Sequence, residues 1–432
     1  MSIEGWKFSP LDQLLELLKS GGTPSTSQSG FYGGEIPFVS IEDMTACPKY
    51  LCYTKKSLTL EGVKNSTAWL VPEGCILYSI YATLGMPRIN VIPVTTNQAI
   101  LAMIVRRNLV SRDFLYYWLQ NAKETIVNAN LAQTTQKNLN ATVVRSFAVY
   151  YPISIAEQFK IAEVLSTVDR AIDETEALIA KQQRIKTGLM QDLLTRGIDA
   201  EGNLRSEATH EFKDSPLGRI PVEWEVCRLG NVADFITSGS RGWARYYATE
   251  GAMFLRIGNL TRHHINMRFG DTVRVCPPAS SEGKRTSLIP GDLVISITAD
   301  LGIVGVIPDG FEEAYVNQHI ALVRLILSQV APRFIGWFLA GRSGQSQFEK
   351  LNESGAKAGL NLSSISDLFV PKMSLFEQNK IATIIDAATK KMFDFEERLT
   401  KLSSLKIALM QDLLSGKVRV TPLMKKKKDD VR

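Results

Sequence analysis

The chain has 432 residues, 45% of them hydrophobic, and a formal net charge of +6. This length exceeds that of a single hydrophobic core, so we expect more than one domain. The small positive excess permits an anionic partner without requiring one, and no apolar run approaches the roughly 18 residues of a membrane span. The five cysteines lack C-x-x-C spacing, so we expect reduced thiols in a cytoplasmic protein.

The first 153 residues predict a mixed α+β head. Short apolar runs at 76–80 and 100–105 are bounded by Pro-Gly or Asn-Gln and indicate strands. Residues 111–121 place Phe114, Tyr117 and Trp118 on one face and indicate a helix. We call residues 1–153 the first head.

Residues 154–197 predict one long helix. Ser154 and Glu157 form an S-x-x-E capping box at its start. Apolar residues then recur at alternating spacings of three and four, which is typical of a coiled-coil seam. About 40 helical residues extend roughly 60 Å. The predicted helix is therefore longer than most helices of globular proteins.

The rest of the chain repeats this plan. A connector rich in charge, Gly and Pro at 198–220 leads to a second head at 221–373, with predicted strands at 293–297 and 320–326. A second long helix follows at 374–416. The basic tail at 417–432 contains KKKKDD at 425–430, and we predict that it is disordered.

The two predicted long helices are near copies of each other. Residues 157–196 align without a gap to 377–416, and 14 of those 40 positions are identical. Such self-similarity indicates internal duplication. We therefore predict an α+β fold with two similar mixed α/β heads separated by two long helices, which form an antiparallel coiled coil with pseudo-twofold symmetry.

Some of the repeated helix positions are polar, and packing of an apolar seam does not require polar residues to match. We infer a surface that docks the same subunit twice. The candidate docking residues are Lys160, Lys181, Gln191, Asp192, Lys380, Lys401, Gln411 and Asp412.

Catalytic motifs are missing from the sequence. It contains no phosphate-binding loop, dinucleotide fingerprint, H-E-x-x-H motif or G-x-S-x-G elbow. The adjacent pair His263-His264 cannot direct both rings to one face of a regular element, which argues against a metal site. We predict a chain without catalytic activity of its own, resident metal or cofactor.

Basic residues cluster in equivalent parts of the two heads. Arginine can pair with guanine edges and phosphates, and lysine with phosphates. For any single residue, a solvated loop charge is the alternative, but the clustering favours nucleic acid. Candidate DNA-binding residues are Lys49, Lys55, Lys56, Lys64 and Arg88 in the first head, with Thr23 and Ser25 of its T-P-S loop, and Arg241, Arg245, Arg256, Arg262, His263 and Arg268 in the second.

Several motifs resemble those of the specificity subunit of type I restriction-modification systems. They are GGTPSTSQSGFYGGEIPFV at 21–39, TTQKNLNATVV at 134–144, FKDSPLGRIPVEWEVCRLGNV at 212–232, and the paired AEQ…LMQDLL and FEQ…LMQDLL helices. The T-P-S loop is absent from the second head, so contacts need not transfer between heads.

The resemblance implies a division of labour between this chain and its partners. Each head would be a target recognition domain that reads one half of a split sequence in double-stranded DNA. The helices would set the spacer and dock two adenine methyltransferase subunits. Restriction/translocase subunits would complete the complex, and S-adenosylmethionine, ATP and Mg would bind only to partner subunits.

Three alternatives remain at this point. One is the specificity subunit of a related two-subunit methylase-nuclease or phage-defence complex. Another is a coiled-coil scaffold whose heads bind protein or glycan. The third is an enzyme with an unfamiliar active site.

Overall fold

The computed structural model describes residues 3–123, 139–239, 241–270, 272–277, 281–353 and 360–424. The predicted disordered run at 425–430 and the first five residues of the 134–144 motif lie outside these ranges. Contacts divide the chain into a first unit, Met1–Glu176 with Arg398–Arg432, and a second unit, Ala177–Glu397. Each unit combines helices with sheets, which confirms the predicted α+β class.

In the first unit, the strands are β1 Trp6–Pro10, β2 Leu15–Ser20, β3 Tyr32–Val39, β4 Tyr50–Leu51, β5 Lys56–Leu58, β6 Ile76–Ser79, β7 Pro87–Asn90, β8 Thr95–Thr96, β9 Ile100–Val105 and β10 Ala148–Pro152. The main sheet has strand order β2-β9-β6-β7-β4, a smaller sheet has order β5-β3-β8, and β1 pairs with β10. The helices are α1 Ile41–Ala46, α2 Leu60–Lys64, α3 Arg112–Ala122, α4 Ala141–Arg145 and the first long helix, α5 Ile155–Leu193.

In the second unit, the strands are β11 Phe212–Ser215, β12 Gly218–Pro221, β13 Glu225–Arg228, β14 Ala233–Ser238, β15 Tyr247–Ala248, β16 Ala252–Leu255, β17 Val273–Val275, β18 Leu293–Ser296, β19 Val304–Val306, β20 Ala314–Val316, β21 Ile320–Leu325 and β22 Phe369–Lys372. The helices are α6 Ser281–Thr286, α7 Pro332–Ala340, α8 Arg342–Glu353, α9 Leu362–Ser366 and the second long helix, α10 Leu375–Leu414. The main sheet, β14-β21-β18-β19, repeats the order β2-β9-β6-β7 of the first unit, and β15-β17-β16-β20, β13-β22 and β11-β12 complete the sheets.

Strands β9 and β21, which lie inside the two main sheets, are apolar except for Arg324 near the end of β21, because both of their faces are covered. In β9, Leu101 and Met103 join one buried cluster, whereas Ile100 and Ala102 join another. Successive side chains of a strand point to opposite faces, so a strand between two cores needs no polar alternation. The equivalent strand β21 is divided in the same way between two clusters.

Within each unit, the segments of the long helices run antiparallel, as predicted. In the first unit, Asp169 pairs with Lys406 at 2.7 Å, and Glu157 pairs with Arg419 at 2.6 Å. As residue numbers increase along α5, the numbers of their partners in the C-terminal part of the chain decrease, so the two segments run in opposite directions. In the second unit, the buried Gln182 amide donates to the carbonyl oxygen of Ala388 at 3.4 Å.

A fully buried glutamine in the first turn of each long helix joins that helix to its head. Gln158 accepts a hydrogen bond from Ser111 N at 2.6 Å and donates to Pro152 O at 2.8 Å. Gln378 accepts from Ala331 N at 2.8 Å and donates to Met373 O at 2.9 Å. Both glutamines are buried with every amide group paired, so the helix start and the preceding strand are held in one arrangement.

A second repeated contact holds the aromatic helix of each head against the long helices. In the first unit, the Tyr117 hydroxyl of α3 donates to Asp169 at 2.6 Å, and Asp169 also pairs with Lys406. In the second unit, Trp337 of α7 donates to Asp386 at 2.8 Å, and Lys186 lies 4.9 Å from the centre of the Trp337 ring. The lysines occupy equivalent repeat positions, as do the two aromatic residues, although the aspartates do not.

The predicted connector is part of the second unit's packing. Ile198 and Arg205 are buried, and Arg205 forms a bidentate pair with the buried Glu377. Glu377 also accepts from Trp224 Nε1 at 3.2 Å. The segment after the second long helix makes the corresponding contact in the first unit, where Arg419 binds both oxygens of Glu157.

These two ion pairs differ in how much water reaches the arginine, which predicts unequal costs of neutralising the glutamate. The Arg205 side chain is 9% exposed and that of Arg419 is 31% exposed. We expect Glu377→Gln to lower the free energy of unfolding by about 3 kcal/mol, because it leaves a buried arginine without a counter-charge. Glu157→Gln should cost about 1 kcal/mol, because water can solvate Arg419.

Urea denaturation followed by tryptophan fluorescence measures the difference. Lys380→Ala, an exposed change on the same helix as Glu377, serves as the control and should stay within about 0.5 kcal/mol of the wild type. A loss for Glu377→Gln that is no larger than the loss for Glu157→Gln would contradict this account.

His264 occupies a partly buried position where the second head meets α10. Its ring packs edge-on against Phe393, with centroids 4.9 Å apart. Burial, followed by the positive charge of Lys186, lowers the pKa of His264 from 6.5 to about 4. Lys186 itself is buried and donates to the carbonyl oxygen of His263 at 2.6 Å.

The depressed pKa of His264 predicts a loss of stability on acidification. Between pH 6.5 and about 4 the unfolded chain binds a proton at this ring that the folded chain does not bind, so stability falls as the pH falls through this window. His264→Phe should decline less steeply in urea midpoint over the same range. His210→Phe, at a partly exposed position beside Thr209, should keep the wild-type slope; equal slopes for all three proteins would refute the assignment.

Candidate nucleic-acid interface

Three loops converge at one edge of the first head. Gly22 N donates to Thr96 O at 2.9 Å, and Ile80 N donates to Ala99 O at 2.9 Å. The backbones approach so closely that a Cβ on Gly21 would lie 1.9 Å from Thr96 O. The loops at 21–23, 80–84 and 97–99 therefore form one continuous surface that requires glycine at its closest contact.

The second head repeats this convergence. Ile297 N donates to His319 O at 3.0 Å, and Gly239 N donates to Ile320 O at 3.4 Å. A Cβ on Gly239 would lie 2.0 Å from Val316 O. We call the surface formed by 21–23, 80–84 and 97–99, and its counterpart formed by Gly239, 297–301 and 317–319, the three-loop face.

The middle loop of each three-loop face has a strained backbone. Ala82 and Ala299 have φ values of 59° and 57°, and they are the non-glycine residues with positive φ in the described parts of the chain. Alanine in this region costs about 1–2 kcal/mol. A buried serine hydroxyl stabilises each loop, because Ser79 accepts from Met86 N at 3.0 Å and Ser296 accepts from Ile303 N at 2.8 Å.

Polar side chains cover the three-loop face. In the first head, Thr23 Oγ1 donates to Gln98 Oε1 at 2.5 Å, and Tyr81 is 43% exposed. In the second head, His319 Nδ1 lies 2.8 Å from Thr298 Oγ1, and its Nε2 lies 3.0 Å from Gln318 Nε2. The surface therefore presents donors and acceptors, which recognition of DNA requires.

The structure brings some predicted DNA-binding residues to this face. Thr23 belongs to it directly, and Arg262 reaches it from a neighbouring segment. Arg262 contacts Asp300, the carbonyl oxygen of Leu301 at 2.7 Å and Gln345 at 2.9 Å. Arg241 is exposed and lies two positions after Gly239 in the chain.

Two predicted phosphate contacts in the first head are instead engaged within the protein. Lys49 is buried, lies 3.2 Å from Asp113 and stacks 4.6 Å from the centre of the Tyr117 ring. Burial alone would raise the pKa of Asp113, but the charges of Arg112 and Lys49 together lower it. Arg88 donates through Nε to the carbonyl oxygens of Met44 and Cys47 at 2.8 and 2.7 Å.

The other predicted DNA-binding residues of the first head are exposed. Lys55 pairs with Glu42, and Ser25 and Ser27 share a hydrogen bond of 2.8 Å. Lys56 begins β5, and Lys64 ends α2.

In the second head, Arg245 lies 4.8 Å from the centre of the Tyr246 ring. The backbone N of Arg256 donates to Asn259 Oδ1 at 2.9 Å, and that of Arg268 donates to Asn259 O at 2.8 Å. His263 is exposed, while its carbonyl oxygen accepts from Lys186.

The predicted docking residues lie at the two ends and the middle of the long helices. Gln191, Gln411, Lys181, Lys380 and Lys401 are exposed. Asp192 is 3.7 Å from Arg196, Asp412 is 3.3 Å from Lys417, and Lys160 is 3.0 Å from Glu163. In the second unit, Gln191 borders a cavity of about 440 Å³ that is also lined by Met190, Leu194 and Phe338.

Sequence reasoning did not select Gln98, Gln318 or Asp300 as candidate site residues. The signal that could have found them is the internal repeat, since TTNQAI matches YVNQHI and the loop SIYATLG matches SITADLG. In the described part of the chain, no group of three His, Cys, Asp or Glu side chains could hold a metal ion. No helix among those residues is long and apolar enough to cross a membrane.

Comparison with known proteins matches both heads to one family. The model of the type I restriction modification DNA specificity domain matches residues 3–185 and again 221–402. The MjaIX specificity subunit of Methanocaldococcus jannaschii, a type I restriction enzyme subunit, is 29% identical over 247 residues, which cover 56% of this chain and 55% of that relative. That match therefore spans just over half of the relative's length.

Two further comparisons extend over nearly the whole chain. The MjaVIII specificity subunit of the same organism is 21% identical over 97% of this chain and 94% of its own length. The crystal structure of the type I restriction-modification S subunit from M. genitalium aligns with a TM-score of 0.58 at 14% identity, covering 94% of this chain and 96% of that one. At this identity the structural match supports the fold.

The family match covers most of the chain and falls on the two halves that the internal repeat defines. None of these comparisons favours a scaffold that binds protein or glycan. The chain therefore belongs to the family of type I restriction-modification DNA specificity subunits, and it carries two copies of the specificity domain.

Proposed function

We propose that each head reads one half of a bipartite sequence in double-stranded DNA, and that the chain performs no chemistry itself. The observation that carries this proposal is that the two three-loop faces share one backbone arrangement but differ in side chains that are exposed or partly exposed. When the two heads are aligned, Tyr81 of the first head corresponds to Thr298 of the second, and Ala99 corresponds to His319. Two recognition surfaces that share one backbone arrangement but carry different side chains suit two different half-sites.

The long helices set the separation of the half-sites in this proposal. A helix of 39 residues, such as α5, extends about 58 Å at 1.5 Å per residue. Each helix contributes residues to both units, so a change of helix length changes the unread spacer between half-sites. A spacer of constant helix length predicts a fixed number of unread base pairs.

Catalysis belongs to partner subunits in this scheme. Two methyltransferase subunits bind the repeated helix surfaces, and restriction/translocase subunits join the complex. S-adenosylmethionine, ATP and Mg are bound by those partners alone. The repeated positions on the helix surfaces support two equivalent docking sites.

The decisive experiment is to express the chain with a type I methyltransferase subunit and to sequence the modified adenines in the host DNA. We expect two short fixed sequences separated by a spacer of constant length. Binding of the purified complex to that sequence should weaken steeply as salt rises, because phosphate contacts release counterions. Adenine modification without a bipartite consensus, or by this chain alone, would contradict the proposal.

The docking sites can be tested by charge reversal at the repeated aspartates. We expect Asp192→Lys or Asp412→Lys to remove one of the two methyltransferase subunits and the double variant to remove both, since each aspartate belongs to one copy of the surface. Native mass spectrometry measures the subunit count. Glu174→Lys, at an exposed position where the second helix has Asp394, should keep both subunits; a double variant that retains both subunits would refute the assignment.

A further inference from the structure

Resting on the proposed function, we propose that the three-loop face is the DNA-contacting surface of each head and that it separates affinity from specificity. The glutamine present in both heads, Gln98 or Gln318, contacts the sugar-phosphate backbone. The side chains beside it that differ between heads discriminate bases. These differing pairs are Tyr81 and Thr298, Thr83 and Asp300, and Ala99 and His319.

The backbone of the face is the same in both heads down to its unusual features. Each contains a glycine in close contact with a facing carbonyl, an alanine with positive φ and a buried serine that stabilises the loop. A strained backbone persists only where the surrounding structure holds it. The face is therefore a rigid platform, and the side chains at its differing positions can change without moving it.

The shared glutamine cannot tell two different half-sites apart. A side chain common to both heads contacts what the half-sites have in common, and every half-site has phosphates. In the first head, Thr23 occupies the acceptor Oε1 of Gln98 at 2.5 Å, so the amide nitrogen is left as the donor. Phosphate oxygens accept from such donors.

The differing positions offer different hydrogen-bonding groups in the two heads. His319 and Thr298 are joined by a hydrogen bond, so their ring and hydroxyl are held in one orientation. Asp300 contacts Arg262, whose guanidinium also binds Leu301 O at 2.7 Å. The first head has Thr83 in place of Asp300. Asp300 therefore presents a carboxylate held by Arg262 at the position where the first head presents the Thr83 hydroxyl.

A protein partner fits this face less well. Two copies of one subunit need two equivalent surfaces, whereas the three-loop faces differ at the positions named above. The ends of the long helices are alike instead, with Gln191-Asp192 and Gln411-Asp412 at equal repeat positions. The differences within a common frame therefore favour DNA.

The test uses the full chain in complex with its methyltransferase subunit and a pool of duplexes with randomised sequence. The wild-type complex selects its bipartite sequence, and each variant is then selected and titrated in the same way. Gln318→Ala should bind the wild-type sequence about tenfold more weakly and still select an unchanged second half-site, because Thr298 holds the His319 ring at Nδ1 after the Gln318 contact at Nε2 is lost. His319→Ala should select a different second half-site and an unchanged first half-site.

Reciprocal changes and a control make the test independent of one variant's folding. Gln98→Ala and Ala99→His should have the same two effects on the first half-site. Glu349→Ala, at an exposed position of the second head outside the face, should change neither affinity nor selection. Each variant must keep the thermal unfolding midpoint of the wild type.

The outcomes separate the inference from the function on which it rests. Folded variants that all select the wild-type sequence with wild-type affinity would overturn the inference while the function stands. Loss of a methyltransferase subunit with unchanged DNA selection would assign the face to the partner and also overturn it. A wild-type complex that selects no bipartite sequence would overturn both.

Discussion

Buried polar side chains in the first turns of the long helices determine how each head is held. Gln158 and Gln378 have no exposed surface, and each joins the helix to a backbone N–H group of its head. A buried amide that loses its partners costs about 1–3 kcal/mol. Neighbouring Glu157 and Glu377, whose side chains are buried, add ion pairs with arginines from segments far away in the chain. Head and helix therefore cannot shift against each other without breaking these contacts.

The loops of the three-loop face lie at the opposite ends of the main-sheet strands from this attachment, and they are free to differ. The sheets of both units repeat one strand order, and the three-loop faces repeat one hydrogen-bonding pattern between loops. Rigid elements that carry variable loops are the usual way in which one fold acquires several specificities. Here both specificities occur in one chain. A feature found in both heads therefore belongs to the common backbone arrangement of the loops.

Local periodicity predicted the two long helices, the aromatic helix of the first head and two strands of each main sheet from the sequence. The apolar run at 100–105 is β9, and the run at 320–326 contains β21. Ser154 and Ser374 mark the starts of the long helices, where each hydroxyl accepts from the backbone N of the glutamate three residues later. What depends on distant contacts could not be read in this way. Lys49 resembles an exposed phosphate contact, and only the packing of Asp113 and Tyr117 around it shows that it is buried.

The connector and the C-terminal segment illustrate the same limit of local reasoning. Both are polar and rich in turn residues, yet Arg205 and Arg419 pair with the glutamates that begin the long helices. Charge composition alone does not distinguish an arginine in solvent from one that binds a buried carboxylate. The candidate site was predicted in part, because Thr23 and Arg262 lie at the three-loop face, whereas Gln98 and Gln318 lack a charge that would mark them.

Under the proposed function, two requirements on this chain conflict unless they fall on separate surfaces. A subunit that binds twice needs two identical surfaces, whereas reading two half-sites needs two different ones. The repeat meets both requirements by keeping LMQDLL unchanged at the ends of the helices and varying side chains on a common loop frame. Within the face the same reasoning applies to single residues, since a group shared by both heads can add affinity but cannot discriminate. Comparing the two halves of one chain thus separates shared residues from differing ones, to which the proposal assigns DNA affinity and base discrimination respectively.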